Sequence, residues 1–353
     1  MTDDNWQARL LRAMDPKPAE EKALPVESPD PQPQAAEIPE EHHPGTATTL
    51  DERTAPLARH GTIHGDPLIR RCADKLRTII GHDATRELEE LATLAEHGNR
   101  AITTGRRIVV CSARGGAGKS TAAALLTTAL AGLRRDPVLA VDADPDAGSL
   151  PLRLGPLGSG VRTAADGGIE HPSAFDQIAR YLDRTATGVW QWPRALSAAL
   201  GRQDEARAAL LLRDRIRFLS RYFAVTVTDL GAGLHGPANR MLLADAHAVL
   251  VAGTTSLDGV LGAEAALRRL GELHGPGLLQ RTVLVLTSPA RQPGVDVGRA
   301  AETLGGYGAH VLTLPYDRHL ALGAAVDQRR IAARTRTTAL RIAAGTMDRA
   351  VLG

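Results

Sequence analysis

An apolar run, Ile108-Val109-Val110-Cys111, leads through Ser112 and Ala113 into Arg114-Gly115-Gly116-Ala117-Gly118-Lys119-Ser120-Thr121, and an alanine-rich stretch continues to Leu133. A predicted strand, a glycine loop and a predicted helix in that order leave few folds open. Glycines let main-chain N–H groups turn inward onto phosphate oxygens, and the helix start adds the positive end of its dipole. The lysine sharpens this reading. The chain has four lysines against thirty-eight arginines, and Lys119 is the only one after Lys75. A compact ammonium on a flexible stem reaches between two phosphates where a flat guanidinium does not. These features predict a nucleoside triphosphate site, with Lys119 bridging the terminal phosphates and Ser120 placed to ligate magnesium.

Two further segments end in acids. Val138-Leu139-Ala140-Val141-Asp142-Ala143-Asp144 places Asp142 and Asp144 at the tip of a predicted strand. In a parallel α/β sheet ligands bind at that edge, on the side of the glycine loop. One acid would hold a metal-bound water and the other orient the attacking water. Phe223-Ala224-Val225-Thr226-Val227-Thr228 ends in Asp229 and runs into Leu230-Gly231-Ala232-Gly233. This has the form of a magnesium-side carboxylate followed by a flexible segment able to sense a γ-phosphate.

Apolar runs at Ile108–Cys111, Val138–Val141, Gly188–Trp192, Phe223–Thr228, Ala248–Ala252, Thr282–Leu286 and Val311–Leu314 alternate with helical patterns. Those patterns fall at Ala122–Leu133, Asp204–Leu219, Leu257–Leu273, Gly298–Leu304 and Arg334–Val351. Nearly continuous apolar strands between helices imply an α/β fold of three layers, its central sheet mostly parallel and covered on both faces. Three regions follow. Residues 1–66 form a proline- and acid-rich leader, expected to be disordered; at 5–14, where Trp6, Leu10 and Met14 share an edge, the readings are a frayed tail or a short docking helix. Residues 67–104 form a helical neck carrying Leu68, Cys72, Leu76, Ile79 and Ile80, then Leu88, Leu91 and Leu94; residues 105–353 form the nucleotide domain.

The order of motifs resembles the MinD/ParA family of P-loop ATPases from about Gly105 onward. That resemblance implies ATP and magnesium as cofactors and a sandwich homodimer made on ATP binding and released by hydrolysis. It also implies roles for individual residues. Gly115, Gly116, Ala117, Gly118, Lys119, Ser120 and Thr121 would cradle phosphate, and Asp144 would position the hydrolytic water. Ser120, Asp142 and Asp229 would lie on the magnesium side, and Pro315-Tyr316-Asp317 against the adenine. Arg114 stands where the family has a lysine that reaches the partner's phosphates, and an arginine supplies charge in trans as well. Thr287-Ser288 replaces an adenine-reading asparagine, Ala113 replaces a loop glycine, and Pro145-Asp146 follows the acid pair in place of Pro-Gln. The leader, together with Thr255-Ser256-Leu257-Asp258-Gly259 and Leu314-Pro315-Tyr316-Asp317-Arg318, is similar to MinD-like ATPases associated with type VII (ESX) secretion in actinobacteria.

Net charge is +2, with twelve acids against six bases in residues 1–60, so there is no general case for a polyanionic partner. Arg329, Arg330, Arg334, Arg336 and Arg341 make a basic stretch that a DNA-partition ATPase would use on nonspecific DNA; a solvated helix face is the plainer reading. Trp190 and Trp192 alternate with polar residues and read as strand core. His42, His43, His60, His64 and His82 lack ligand spacing, and His235 reads as a solvent-facing loop residue. Two cysteines, no signal segment and no membrane-length apolar run imply a soluble cytoplasmic protein without autonomous membrane binding. A protein partner is expected, with secretion machinery the one the resemblance implies. The alternatives are a DNA-partition ATPase and a nucleotide-binding scaffold with little hydrolysis.

Overall fold

The computed structural model describes residues 83–144, 148–156, 174–192 and 205–352. The leader, its docking segment, neck residues 67–82 and Pro145-Asp146 lie outside the described residues. The order is α1 (Asp83–Gly98), β1 (Arg106–Cys111), α2 (Lys119–Leu133), β2 (Val138–Ala143), α3 (Leu150–Leu154) and α4 (Phe175–Ala179). Then come β3 (Asp183–Arg184), β4 (Trp190–Gln191), α5 (Glu205–Leu219), β5 (Val225–Leu230), α6 (Pro237–Ala244) and β6 (Ala248–Thr254). The chain closes with α7 (Leu257–His274), α8 (Pro276–Gln280), β7 (Thr282–Thr287), α9 (Val297–Gly305), β8 (His310–Leu314), α10 (Arg318–Ala321) and α11 (Ala333–Leu352).

Among the described residues eight strands form one sheet in the order β3-β4-β2-β5-β1-β6-β7-β8, parallel except for the β3–β4 pair at one edge. The continuous apolar runs are explained by double coverage. In β1, Ile108 and Val110 enter one core with α2 and α11, while Val109 and Cys111 enter the other with α5, α6, α7 and α9. The period of two thus hides in the sequence, because both faces are dry. The β3–β4 edge carried no signal beyond the Gly188–Trp192 run, since each strand has only two residues. Trp192 is buried there, and Trp190 meets Phe175 edge-on at 5.4 Å and sits under the Arg184 guanidinium at 5.1 Å. Short helices α3, α4, α6, α8 and α10 fall in segments too brief to show a helical period.

Helix α1 lies on α11 and α2. His97 Nδ1 approaches Asp348 at 2.7 Å, Arg100 reaches the same carboxylate at 3.4 Å, and Arg341 pairs with Glu90. The buried Arg134, just past α2, donates to the carbonyls of Gly98 and Arg100 at 3.2 and 2.9 Å, capping α1. Of the apolar neck residues Leu88, Leu91 and Leu94, Leu88 is exposed and the other two are half-buried.

The starts of β1 and β6 are stitched by His247, whose Nδ1 accepts the Arg107 N–H at 3.0 Å. Burial, then Arg107, Arg106 and Arg281, push the imidazole down to about 4 from its usual 6.5. Between those two values the unfolded chain binds the proton and the folded one does not, so stability falls as pH drops from 6.5 toward 4. The loss expected is about 1–3 kcal/mol, since each tenfold drop in proton affinity is worth about 1.4 kcal/mol. Urea unfolding at pH 7 and pH 5 checks it. His247→Asn, whose amide oxygen takes the same N–H, should flatten that part of the slope, and an unchanged slope would refute the assignment.

Candidate nucleotide site

The register of the central strands gathers the chemistry. Asp142 lies opposite Asp229 across β2 and β5, and Val110, one residue before β1 ends, lies opposite Asp229 on the other side. Parallel strands all present their C-terminal tips at one edge, so the loop after β1 and the acids ending β2 and β5 meet there.

The loop itself is built by backbone conformation. Gly116 and Gly118 have φ of +76° and +81°, a region that a side chain makes costly. Among the described residues nothing lies within 4 Å of a Cβ added at Gly115 or Gly116, while Gly118 faces Thr287, whose buried Oγ1 has no hydrogen-bond partner among them. Helix α2 opens with no capping side chain and no acid in its first turn, so its N-terminal N–H groups are left for an anion.

Lys119, the first residue of α2, is buried, its ammonium 3.3 Å from Asp229 Oδ1 and 4.0 Å from Asp144 Oδ2. Burial pushes the Asp229 pKa up; Lys119 and the Ser120 hydroxyl oppose that shift, and Asp144 adds to it. A buried carboxylate held by one ammonium is poised to take a second cation. Asp142 Oδ1 accepts the Asp144 N–H at 3.1 Å, and a Cβ on Gly148 would collide with the Asp142 carboxylate, so Gly148 closes tightly over it. The glycine segment after β5 is tied back to the loop: Gly233 (φ +85°) donates to the Ser112 carbonyl at 3.1 Å, and Ser112 Oγ donates to the Arg114 carbonyl at 2.8 Å. His235, beyond it, is exposed. Cys111, behind the loop, is fully buried with its pKa pushed up to about 12, an inert packing thiol.

Magnesium is implied by this chemistry. Among the described residues no cluster of three or more His, Cys, Asp or Glu side chains would hold a metal. Asp229 Oδ2 is, however, buried with no hydrogen-bond partner among the described residues, and the Ser120 hydroxyl sits against the same carboxylate. A carboxylate, a hydroxyl and otherwise phosphate and water is the donor set of Mg²⁺, which keeps much of its hydration. The residues fit.

Lys119, Ser120, Asp142, Asp144 and Asp229 lie together at this edge. Asp317 has a role the sequence did not show. Its Oδ1 accepts the His319 and Leu320 N–H groups, and its Oδ2 accepts from Ala332 N and Thr335 Oγ1 at 2.8 Å each. The carboxylate therefore caps α10 and ties it to the start of α11, leaving Pro315 and Tyr316 as the parts of that segment with side chains to offer. Of the C-terminal arginines, Arg330 pairs with Asp327, Arg341 with Glu90, and Arg334 and Arg336 donate to main-chain carbonyls. Arg114, expected to reach a second copy's phosphates, lies within its own chain against α7, paired with Asp258.

Residues 108–321 match the CobQ/CobB/MinD/ParA nucleotide binding domain. The ESX-1 secretion-associated protein EspI of Mycobacterium tuberculosis is 30% identical over 225 residues, covering 63% of this chain but 33% of that protein. This chain thus spans about a third of the length of the curated relatives it matches. Among solved structures, a ParA family ATPase from Chlorobium tepidum has a TM-score of 0.50 at 18% identity, over 68% of this chain and 98% of the other.

Proposed function

Because this chain belongs to the CobQ/CobB/MinD/ParA nucleotide-binding family, we propose that it is a magnesium-dependent, ATP-hydrolysing switch that pairs with a second copy on binding ATP. The observation that carries this reading is the buried ammonium of Lys119 at the head of α2, between the carboxylates of Asp229 and Asp144. Lysine with two acids at an uncapped helix start is the arrangement that neutralises a polyphosphate and steers water onto it.

The main-chain N–H groups of Gly115, Gly116, Ala117 and Gly118 wrap the phosphates, and Thr121 continues the cradle. Lys119 bridges the terminal pair. Ser120 and Asp229, with Asp142 beside them, hold magnesium, which supplies charge neutralisation at the phosphate oxygens when bound. Asp144 orients the water. Arg114 is the charge given to the partner's nucleotide. Pro315 and Tyr316 border the base, and Asp317 shapes that segment from behind. The described helices include none long and apolar enough to cross a membrane. Likeness to a secretion-associated protein supports a protein partner in secretion machinery, reached through the dimer.

Calorimetry on the intact chain with magnesium and ATP should give saturable binding near one nucleotide per chain, with GTP weaker. No heat from either nucleotide would sink the reading.

A further inference from the structure

The Arg114 guanidinium already has an anionic partner within its own chain. Its Nη1 pairs with Asp258 Oδ1, in the first turn of α7. The stem lies over Gly262, where an added Cβ would stand 3.8–4.0 Å from Cγ, Cδ and Nε of Arg114. Positions 258 and 262 are one turn apart on the same helix face. At its other end the residue is anchored by Ser112 Oγ on the Arg114 carbonyl. Ser112 also receives the Gly233 N–H from the segment after β5. Main chain, stem and head are thus each held, the first by the loop and the other two by α7.

We propose that Asp258 is a positioning residue for Arg114, holding its guanidinium on α7 in competition with the nucleotide phosphates of a second copy of the chain. The proposal rests on reading Arg114 as a charge used in trans. Asp258 suits the task because an acid in a first helical turn is stabilised by the helix dipole and stays put. The strength of the hold decides what it does. The two side chains are 61% and 68% exposed, and exposed pairs shift an equilibrium by at most about fivefold. A polyphosphate, carrying more charge and accepting bidentately from arginine, wins that competition. The contact therefore sets a threshold for engagement and does not lock the residue.

Two measurements on the full chain test this. Without nucleotide, trypsin must capture the Arg114 side chain to cut the Arg114–Gly115 bond. Asp258→Asn should speed that cut about two- to fivefold relative to other sites, and Asp258→Glu should bring it back toward the wild-type rate. Raising salt should speed the wild type but not Asp258→Asn. With magnesium and ATP, Asp258→Asn should lower the protein concentration at half-dimer by a similar factor, and the shift should vanish in an Arg114→Ala background. An unchanged cleavage rate overturns the hold. A dimer midpoint unmoved by Asp258→Asn, or moved equally in Arg114→Ala, overturns the competition. Faster cleavage with no ATP-dependent dimer in the wild type overturns the trans role of Arg114 and leaves only the hold.

Discussion

Lys119→Met is expected to weaken ATP binding by about a hundredfold or more and to leave a protein whose stability rises on mild acidification. The first effect follows from losing roughly two charge-assisted hydrogen bonds to phosphate, each worth about 1.5–3 kcal/mol. The second is particular to this site. Asp229 is fully buried and faces the ammonium at 3.3 Å. Burial already raises its pKa, and Lys119 is the first of the groups opposing that rise. With the ammonium gone, the carboxyl titrates higher still in the folded state. A group whose folded pKa lies above its unfolded value stabilises fully below the unfolded pKa, and that stability is lost as pH rises through the folded pKa. The variant should therefore be about 1–3 kcal/mol less stable than wild type at pH 7 and recover part of the loss at pH 5. Adding Asp229→Asn should restore stability at pH 7 without restoring ATP affinity. Urea titrations and calorimetry read the two effects separately. Wild-type affinity in Lys119→Met would remove the basis of the proposed function.

Asp144→Ala should do the opposite to binding and turnover. Asp144 stands 4.0 Å from the ammonium, at the margin of an ion pair, and is partly exposed. Its removal is expected to change ATP affinity by no more than about fivefold. If Asp144 orients the hydrolytic water, single-turnover phosphate release should fall by about 10²–10⁴-fold, the usual range for a positioned acid or base. ATP that binds but is not cleaved keeps the dimer together, so Asp144→Ala with magnesium and ATP should run at twice the monomer mass in light scattering. Equal hydrolysis rates would end the catalytic role of Asp144, and a monomer under saturating ATP would count against the dimer. The same trapped form is the bait with which to isolate a protein partner.

Much of this centre was legible in the chain because its parts are local. Loop, lysine and serine are contiguous, and Asp142 and Asp229 each end an apolar run, so strand ends and acids were marked together. What pairs with what was not local. Arg114 and Asp258 are far apart in sequence, and nothing near Asp258 advertises a partner. His247 looks like any histidine before a strand until β1 lies beside it. Asp317 fitted a nucleotide-side motif, yet its four accepted hydrogen bonds are all internal.

The chain on its own determined that a strand would be followed by a phosphate-binding turn and a helix, that the sheet would be largely parallel, and where its acids would emerge. Those outcomes depend on conformational preference and on hydrophobic runs of a few residues. Strand order, the two-residue antiparallel edge, the burial of Asp229 against Lys119 and the docking of Arg114 on α7 were decided only in three dimensions. Each depends on which distant segments exclude water from one another, and desolvation, unlike helical or strand preference, belongs to no single stretch of sequence.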